Sequence, residues 1–136
     1  MILADTSAWV EYDRGTGSPV GERVAALIAA GGPLRVTEPV VMEVVAGARD
    51  ARREQDLRRL MQGIELLPLR SPDDFESASL IYRRCRGQGV TPRGIVDCMV
   101  AAVVWRTGAA LLADDRDLAH VARVLGLKLD PASRAG

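Results

Sequence analysis

The chain has 136 residues, about one ordinary domain, and its 48% hydrophobic and 26% charged content is that of a globular protein rather than a disordered one. At this length roughly two-thirds of the unfolded surface can be buried, enough for a core without metal or disulfide staples. The 18 basic and 18 acidic residues cancel, which excludes a strongly basic arm that would hold nucleic acid by bulk electrostatics and leaves only local patches for that purpose.

Ile2 to Ala4 is a short apolar run ending on Asp5-Thr6-Ser7, the pattern of a buried strand delivering into a helix. Val20 to Ala30 is amphipathic, with Val24, Leu27 and Ile28 on one face, and Gly31-Gly32-Pro33 stops it. Leu34 to Val36 reads as a second strand. Thr37 then serves as N-cap to a helix with Pro39 in its first turn, running to about Ala48. Ala51 to Gln62 is a charged helix with Leu57, Leu60 and Met61 inward, and Ile64 to Leu69 a third strand. Ser71 caps a helix with Pro72 at its first position that extends to about Arg86. Gly87-Gln88-Gly89 breaks it, and Thr91-Pro92 opens the next helix, through Arg106 to Gly108. Ala109 to Ala113 is a fourth strand, Leu118 to Leu125 a last helix closed by Gly126, and Leu127 to Leu129 an optional final strand. Short apolar strands alternating with helices imply an α/β fold, with a four- to five-stranded parallel sheet covered by helices on both faces. With no internal repeat or linker, one domain is expected over residues 1–130, followed by a flexible tail over 131–136.

A single histidine, His120, and two cysteines, Cys85 and Cys98, supply no zinc spacing. The cysteines read as buried thiols of a reducing compartment. Met1 to Asp5 reaches a charge too early for a signal peptide, and no run of 18 apolar residues occurs. The expectation is a soluble, cytoplasmic protein.

The informative residues are acids in apolar company. From Gly94 to Trp105 the sequence is GIVDCMVAAVVW, in which Asp97 is the one charged side chain; Glu43 interrupts PVVMEVVA in a similar way. A helix apolar on all sides is buried, and an ionised carboxylate inside it costs several kcal/mol, about the effective burial penalty, unless compensated. Asp5 ends the first strand, and Asp115 and Asp117 follow the last clear one. Carboxyl ends of parallel strands, near the switch in strand order, are where ligands gather. With Glu43 and Asp97 in the first turns of their helices, all four acids could face one crevice. At 4 Å and an effective dielectric of 20, each pair would repel by about 4 kcal/mol. A hard divalent cation relieves both repulsion and burial, and ligands that are oxygen only select Mg²⁺ or Mn²⁺, which can activate water and stabilise charge on a phosphodiester. Each acid also has a plainer role. Asp5 is as well placed to cap a helix starting near Ser7, Asp115 or Asp117 to cap the last helix, and Asp97 to pair with Arg93. Glu43 has no basic neighbour at i±3 or i±4.

Taken in order, Asp5-Thr6-Ser7, Glu43 ahead of Gly47, Asp97 opening an Ala-rich helix, and Asp115-Arg116-Asp117-Leu118 resemble the PIN-domain ribonucleases, and among them the VapC toxins of VapBC toxin–antitoxin pairs. The resemblance spans residues 2 to about 125. It implies a PIN-like fold, a Mg²⁺-dependent endoribonuclease acting on cellular tRNA, rRNA or mRNA, with Mn²⁺ as substitute, and a homodimer. It also implies inhibition by a small VapB-like antitoxin, with which a heterotetramer or larger assembly would form. By motif position, Asp5, Glu43, Asp97 and Asp115 would be catalytic. Asp5, Asp97, Asp115 and Asp117 would be metal ligands, and Thr6 and Ser7 would hold a ligand or water. The family often carries Phe where this chain has Leu118, and Asp114 adjoins the D-x-D pair, leaving open which acid faces the metal.

Arginine supplies all basic residues but Lys128. Arg49, Arg52, Arg53, Arg58 and Arg59 read as a solvated helix face, whereas Arg83, Arg84, Arg86 and Arg93 precede the Asp97 helix and are candidates for RNA phosphates. Trp9, Tyr12 and Trp105 are expected in the core or a dimer contact. Gly15-Thr16-Gly17-Ser18 lacks the lysine of a phosphate-binding loop. Two other classes compete. An aspartyl-phosphate phosphatase or receiver domain would want an acid at position 7 or a late-strand lysine, and Ser7 and the absence of lysine before 128 speak against it. In a non-catalytic interaction module the same acids would be caps and surface charges.

Overall fold

A computed structural model describes residues 1–136. Four short strands form one parallel sheet: β1 (Ile2–Ala4), β2 (Leu34–Val36), β3 (Glu65–Leu66) and β4 (Ala110–Leu112), in the spatial order β3-β2-β1-β4. Ile2 lies opposite Leu34 on one side and Ala110 on the other, so β1 and β4 end level with each other. All three residues of β1 and of β4 are buried. Successive side chains point to opposite faces, so the sheet is covered on both.

Seven helices provide that cover: α1 (Thr6–Arg14), α2 (Pro19–Ala29), α3 (Glu38–Ala46), α4 (Ala51–Gln62), α5 (Asp73–Gly87), α6 (Ile95–Thr107) and α7 (Arg116–Leu125). Local chemistry fixes their ends. Ser18 caps α2 through Gly21 N–H, Asp50 caps α4 through Arg53 N–H, and Gly108 and Gly126 leave α6 and α7 in the left-handed region that favours glycine. The main core gathers β1, β2 and β4 with α1 to α4, part of α6 and Leu118 of α7; a smaller one joins α5, α6 and α7 through Ile81, Cys85, Cys98 and Val121. Burial pushes the Cys98 thiol up to about 11, which keeps it protonated and unreactive. Trp9 is buried and meets Tyr12 edge-on at 6.0 Å, whereas Trp105 is exposed.

Several boundaries differ from expectation. The third strand shrinks from residues 64–69 to Glu65–Leu66, both exposed at the sheet edge; Leu67 N–H makes one further bond to Val36 O (2.7 Å), Leu69 N–H turns to the Glu38 carboxylate (2.8 Å), and both side chains pack on the core. Helix α6 begins at Ile95 behind Gly94 rather than at Thr91. Thr37 stands at the cap position of α3 without a side-chain cap bond, and Pro72, not Ser71, precedes α5. There Asp74 is the organiser: it accepts Arg70 N–H (2.8 Å) and the Arg106 guanidinium (2.8–3.1 Å), which holds its carboxyl below the usual range, and Arg106 also donates to Pro68 O. The segment after residue 130, expected to fray, runs beside β4 instead. Arg134 N–H donates to Ala113 O, Ser133 Oγ donates to Leu111 O, and buried Asp130 binds Arg23 of α2.

Candidate active site

The chain winds from β1 outward to β2 and β3, then returns to β4 on the other side of β1. The order therefore switches between β1 and β4, and the crevice beyond their carboxyl ends is where a parallel sheet opens a site. Asp5 leaves β1 there and Asp114-Asp115 leave β4. Their walls, with Thr6, Ser7, Glu43 and Asp97, enclose a cleft of about 310 Å³.

Each side chain is held by its own element. Asp5 caps α1, its Oδ2 accepting Ser7 N–H (3.0 Å) and Ser7 Oγ–H (2.7 Å). Ser7 Oγ in turn accepts Asp114 N–H at 2.9 Å, so one hydroxyl ties the end of β1 to the loop leaving β4. Thr6 donates its hydroxyl to Glu43 Oε1 at 2.6 Å, drawing α3 toward α1. Glu43 lies in the second turn of α3, not the first, and is half-buried on a helix whose Met42 is exposed. Asp97 lies in the first turn of α6. Asp115 caps α7 through Leu118 N–H at 2.8 Å.

The charges interact as their placement dictates. Burial raises the Asp5 carboxyl above its ordinary value, with Asp115 adding to the rise and the Ser7 bonds opposing it. Asp97 is pushed up to about 7, first by burial and then by the fields of Asp5, Asp115, Glu43 and Asp117. A carboxyl titrating near neutrality among other carboxylates signals crowded negative charge. No three acids are gathered tightly enough to grip one ion as they stand, since Asp5 is turned to Ser7, Glu43 to Thr6 and Asp115 to a backbone amide. The oxygen-only donor set fits Mg²⁺ or Mn²⁺ in kind, and side-chain rotation is what would bring the donors to an ion.

Not every residue singled out from sequence joins the cleft. Asp117 is held by Arg93, accepting its Nε–H (2.8 Å) and backbone N–H (3.2 Å), and stands outside the wall. Arg93 therefore pairs with Asp117 rather than with Asp97. Arg83, Arg84 and Arg86 are exposed on the last turns of α5 and line no part of the cleft. Conversely, Arg14 and Glu11 do line it. Their signal was helical spacing: Thr6, Val10 and Arg14 fall at i, i+4 and i+8 on the face of α1 that starts at the cleft.

Comparison with known proteins agrees with this architecture. The family model of the PIN domain matches residues 2–124. The chain is 40% identical over 129 residues, 94% of its length and 96% of theirs, to VapC ribonuclease Mb1587 of Mycobacterium bovis and to ribonuclease VapC11 of Mycobacterium tuberculosis. Among solved structures, VapBC2 of Rickettsia felis bound to a promoter DNA fragment matches with a TM-score of 0.71 at 16% identity, over 96% of this chain and 98% of that one. FitAcB of Neisseria gonorrhoeae matches at 0.69 and 19%, over 97% and 98%; at such identities the likeness is one of fold. The chain belongs to the PIN-domain family, among its VapC ribonucleases.

Proposed function

We propose that this PIN-domain chain is a divalent-metal-dependent endoribonuclease and the toxin of a toxin–antitoxin pair, working in the cytoplasm. One observation carries the reading: Asp5, Glu43, Asp97 and Asp115 surround one cleft at the switch between β1 and β4. Relatives at 40% identity bear the name VapC ribonuclease, which supports both the activity and the class of substrate.

Asp5, Asp97 and Asp115 would hold Mg²⁺, or Mn²⁺ in its place, and when bound such an ion lowers the pKa of water and offsets charge on a phosphodiester. The chain's own residues prepare that site. Ser7 fixes one oxygen of Asp5 and leaves the other free to ligate. Thr6 fixes Oε1 of Glu43 and leaves Oε2 as an acceptor that can orient water toward phosphorus. Asp97, whose carboxyl burial and the neighbouring acids push up to about 7, would have to lose its proton to hold a cation, so ion binding would be coupled to proton release. In the test, purified protein is incubated with RNA and Mg²⁺. Cleavage is expected, with loss on chelation and in Asp5→Asn; cleavage that survives both refutes the mechanism.

An antitoxin of VapB type is the partner this reading requires, in keeping with structural neighbours crystallised as VapBC and FitAB complexes. A concave ring of carboxylates is complementary to a guanidinium, so an arginine of the antitoxin would enter the cleft and occupy the cation's place. Co-purification with a short partner, and weaker inhibition when that arginine becomes Ala, tests the regulation separately from the nuclease. The expected assembly is a homodimer of the toxin, with a heterotetramer or larger in the complex.

A further inference from the structure

The cleft presents a difficulty for its own substrate. Six carboxylates line it (Asp5, Glu11, Glu43, Asp97, Asp114 and Asp115) against one cation, Arg14. A polyanionic strand is repelled there unless cations beside the cleft draw it in. Arg14 also lines a second, larger hollow of about 510 Å³ between α1, α3 and α4. The two hollows share Thr6, Val10, Arg14 and Glu43, so they adjoin along α1 and Glu43.

The charge changes sign from one hollow to the other. In the second hollow Arg53 is paired with Asp13, and Glu43 is held by Thr6. Arg49, exposed at the turn between α3 and α4, has no ion pair, and Arg14 makes one loose contact with Glu11 at 3.5 Å while its side chain stays 66% exposed. Two guanidinium groups are thus free to meet phosphates, whose oxygens they match bidentately. The same hollow has apolar wall from Val44, Leu57 and Leu60. Trp9, also on the wall, keeps a buried indole N–H without a partner. A hollow of this size lies within the usual range for ligand sites, about 300–1,000 Å³. Cations flanking apolar walls are the combination that takes single-stranded RNA with an unstacked base.

Resting on the ribonuclease reading above, we propose that the α1/α3/α4 hollow is the path of the RNA strand beside the cleft, with Arg14 and Arg49 on successive phosphates and Val44 and Leu60 under a base. The strand then approaches from the α1/α3/α4 side. The arginines at the end of α5 lie outside both hollows.

The test measures binding apart from cleavage, in the full chain carrying Asp97→Asn, with Mg²⁺ present and a fluorescein-labelled mixed-sequence RNA of about 12 nucleotides as probe. Anisotropy is followed against salt. Arg14→Ala and Arg49→Ala are each expected to weaken binding by about 3- to 10-fold and to reduce the salt slope by about 0.7, one single-strand phosphate each. Val44→Ala is expected to weaken binding about twofold with the slope unchanged, because apolar packing releases no counterions. Arg123→Ala, on the exposed last turn of α7, serves as the unaffected control. All four positions are surface or half-buried, and a thermal melt checks that each variant folds. Wild-type binding by the Arg14 and Arg49 variants, or a loss confined to Arg83→Ala/Arg84→Ala, overturns the path while carboxylate-dependent cleavage by the chain with Asp97 intact still stands. Variants that lose a co-purified antitoxin yet bind RNA normally would make the hollow a protein site, and overturn it equally. A chain with Asp97 intact that neither binds nor cuts RNA refutes the ribonuclease reading itself.

Discussion

Replacing Asp97 with Asn keeps the shape of the side chain and removes one negative charge from a crowded cleft. In the folded chain this carboxyl titrates at about 7 instead of 3.8, because burial and then Asp5, Asp115, Glu43 and Asp117 oppose its ionisation. Between those two values the folded state keeps a proton that the unfolded state has lost. Stability therefore falls as pH rises through the window, and the full penalty stands above about pH 7. Three units at about 1.36 kcal/mol each correspond to about 4 kcal/mol. Asp97 is only partly buried, and solvent screening reduces the expected effect to about 1–2 kcal/mol. In a chain of this size each kcal/mol moves the melting temperature by about 3–5 °C. Scanning fluorimetry in chelator should thus show Asp97→Asn melting about 3–10 °C above wild type at about pH 8, with the gap closing as pH falls toward about 4. Added Mn²⁺ should raise the wild-type melt more than the variant's, and the variant should not cleave RNA. A variant less stable than wild type at every pH, or a gap that does not widen between about pH 4 and 7, would mean that a compensating partner, not crowding, governs Asp97.

Ser7→Ala removes the hydroxyl that joins Asp5 to the backbone of Asp114; a loss of about 1–2 kcal/mol in denaturant melts is expected, together with weaker Mn²⁺ binding as Asp5 loses its orientation. Arg106→Ala leaves the buried Asp74 carboxylate without its guanidinium, so chemical denaturation should show a loss of about 3 kcal/mol, largely relieved in the double variant with Asp74→Asn. Gly21→Ala puts a methyl 2.9 Å from the carbonyl oxygen of Glu11, where α2 crosses α1; overpacking of about 1–3 kcal/mol should lower the melting temperature, and an unchanged melt would show that the two helices can part at no cost.

The fold was legible wherever local chemistry and burial agreed. Helix α4 matches its sequence boundaries at both ends because Asp50 supplies a cap and Gly63 a stop, and the charged face between them carries no competing signal. Residues 64–69 misled because apolar side chains indicate burial, not pairing. Leu67 and Leu69 reach the core from a stretch interrupted by Pro68, which has no N–H to donate, so bonding to β2 ends with the Leu67 N–H and the strand itself holds only Glu65 and Leu66. At α6, Thr91-Pro92 is a sound helix opening by composition, yet Gly94 intervenes and the helix waits until Ile95. The tail after residue 130 has the small, polar composition of a frayed end. Its order comes from carbonyls exposed along β4, which sequence cannot display.

At the site, legibility followed how costly each residue is in its local context. Asp97 inside GIVDCMVAAVVW demanded a reason from sequence alone, and Asp5 and Asp115 declared themselves by ending apolar strands. Asp117 gave the same signal through its D-x-D spacing, but a carboxylate two residues into a helix faces wherever the helix turns it, and here that is Arg93. Arginines are harder still, because an exposed guanidinium costs little anywhere and leaves no trace in hydropathy. Arg83, Arg84 and Arg86 drew attention through proximity in the chain to Asp97, whereas Arg14 and Arg49 stand 83 and 48 residues before it. A substrate strand meets charge across the surface, not along the chain. The turn between α3 and α4 and the last turn of α1 bring Arg49 and Arg14 to one hollow, so the sign change beside the acidic cleft is a property of helix packing, invisible until α1, α3 and α4 are set against one another.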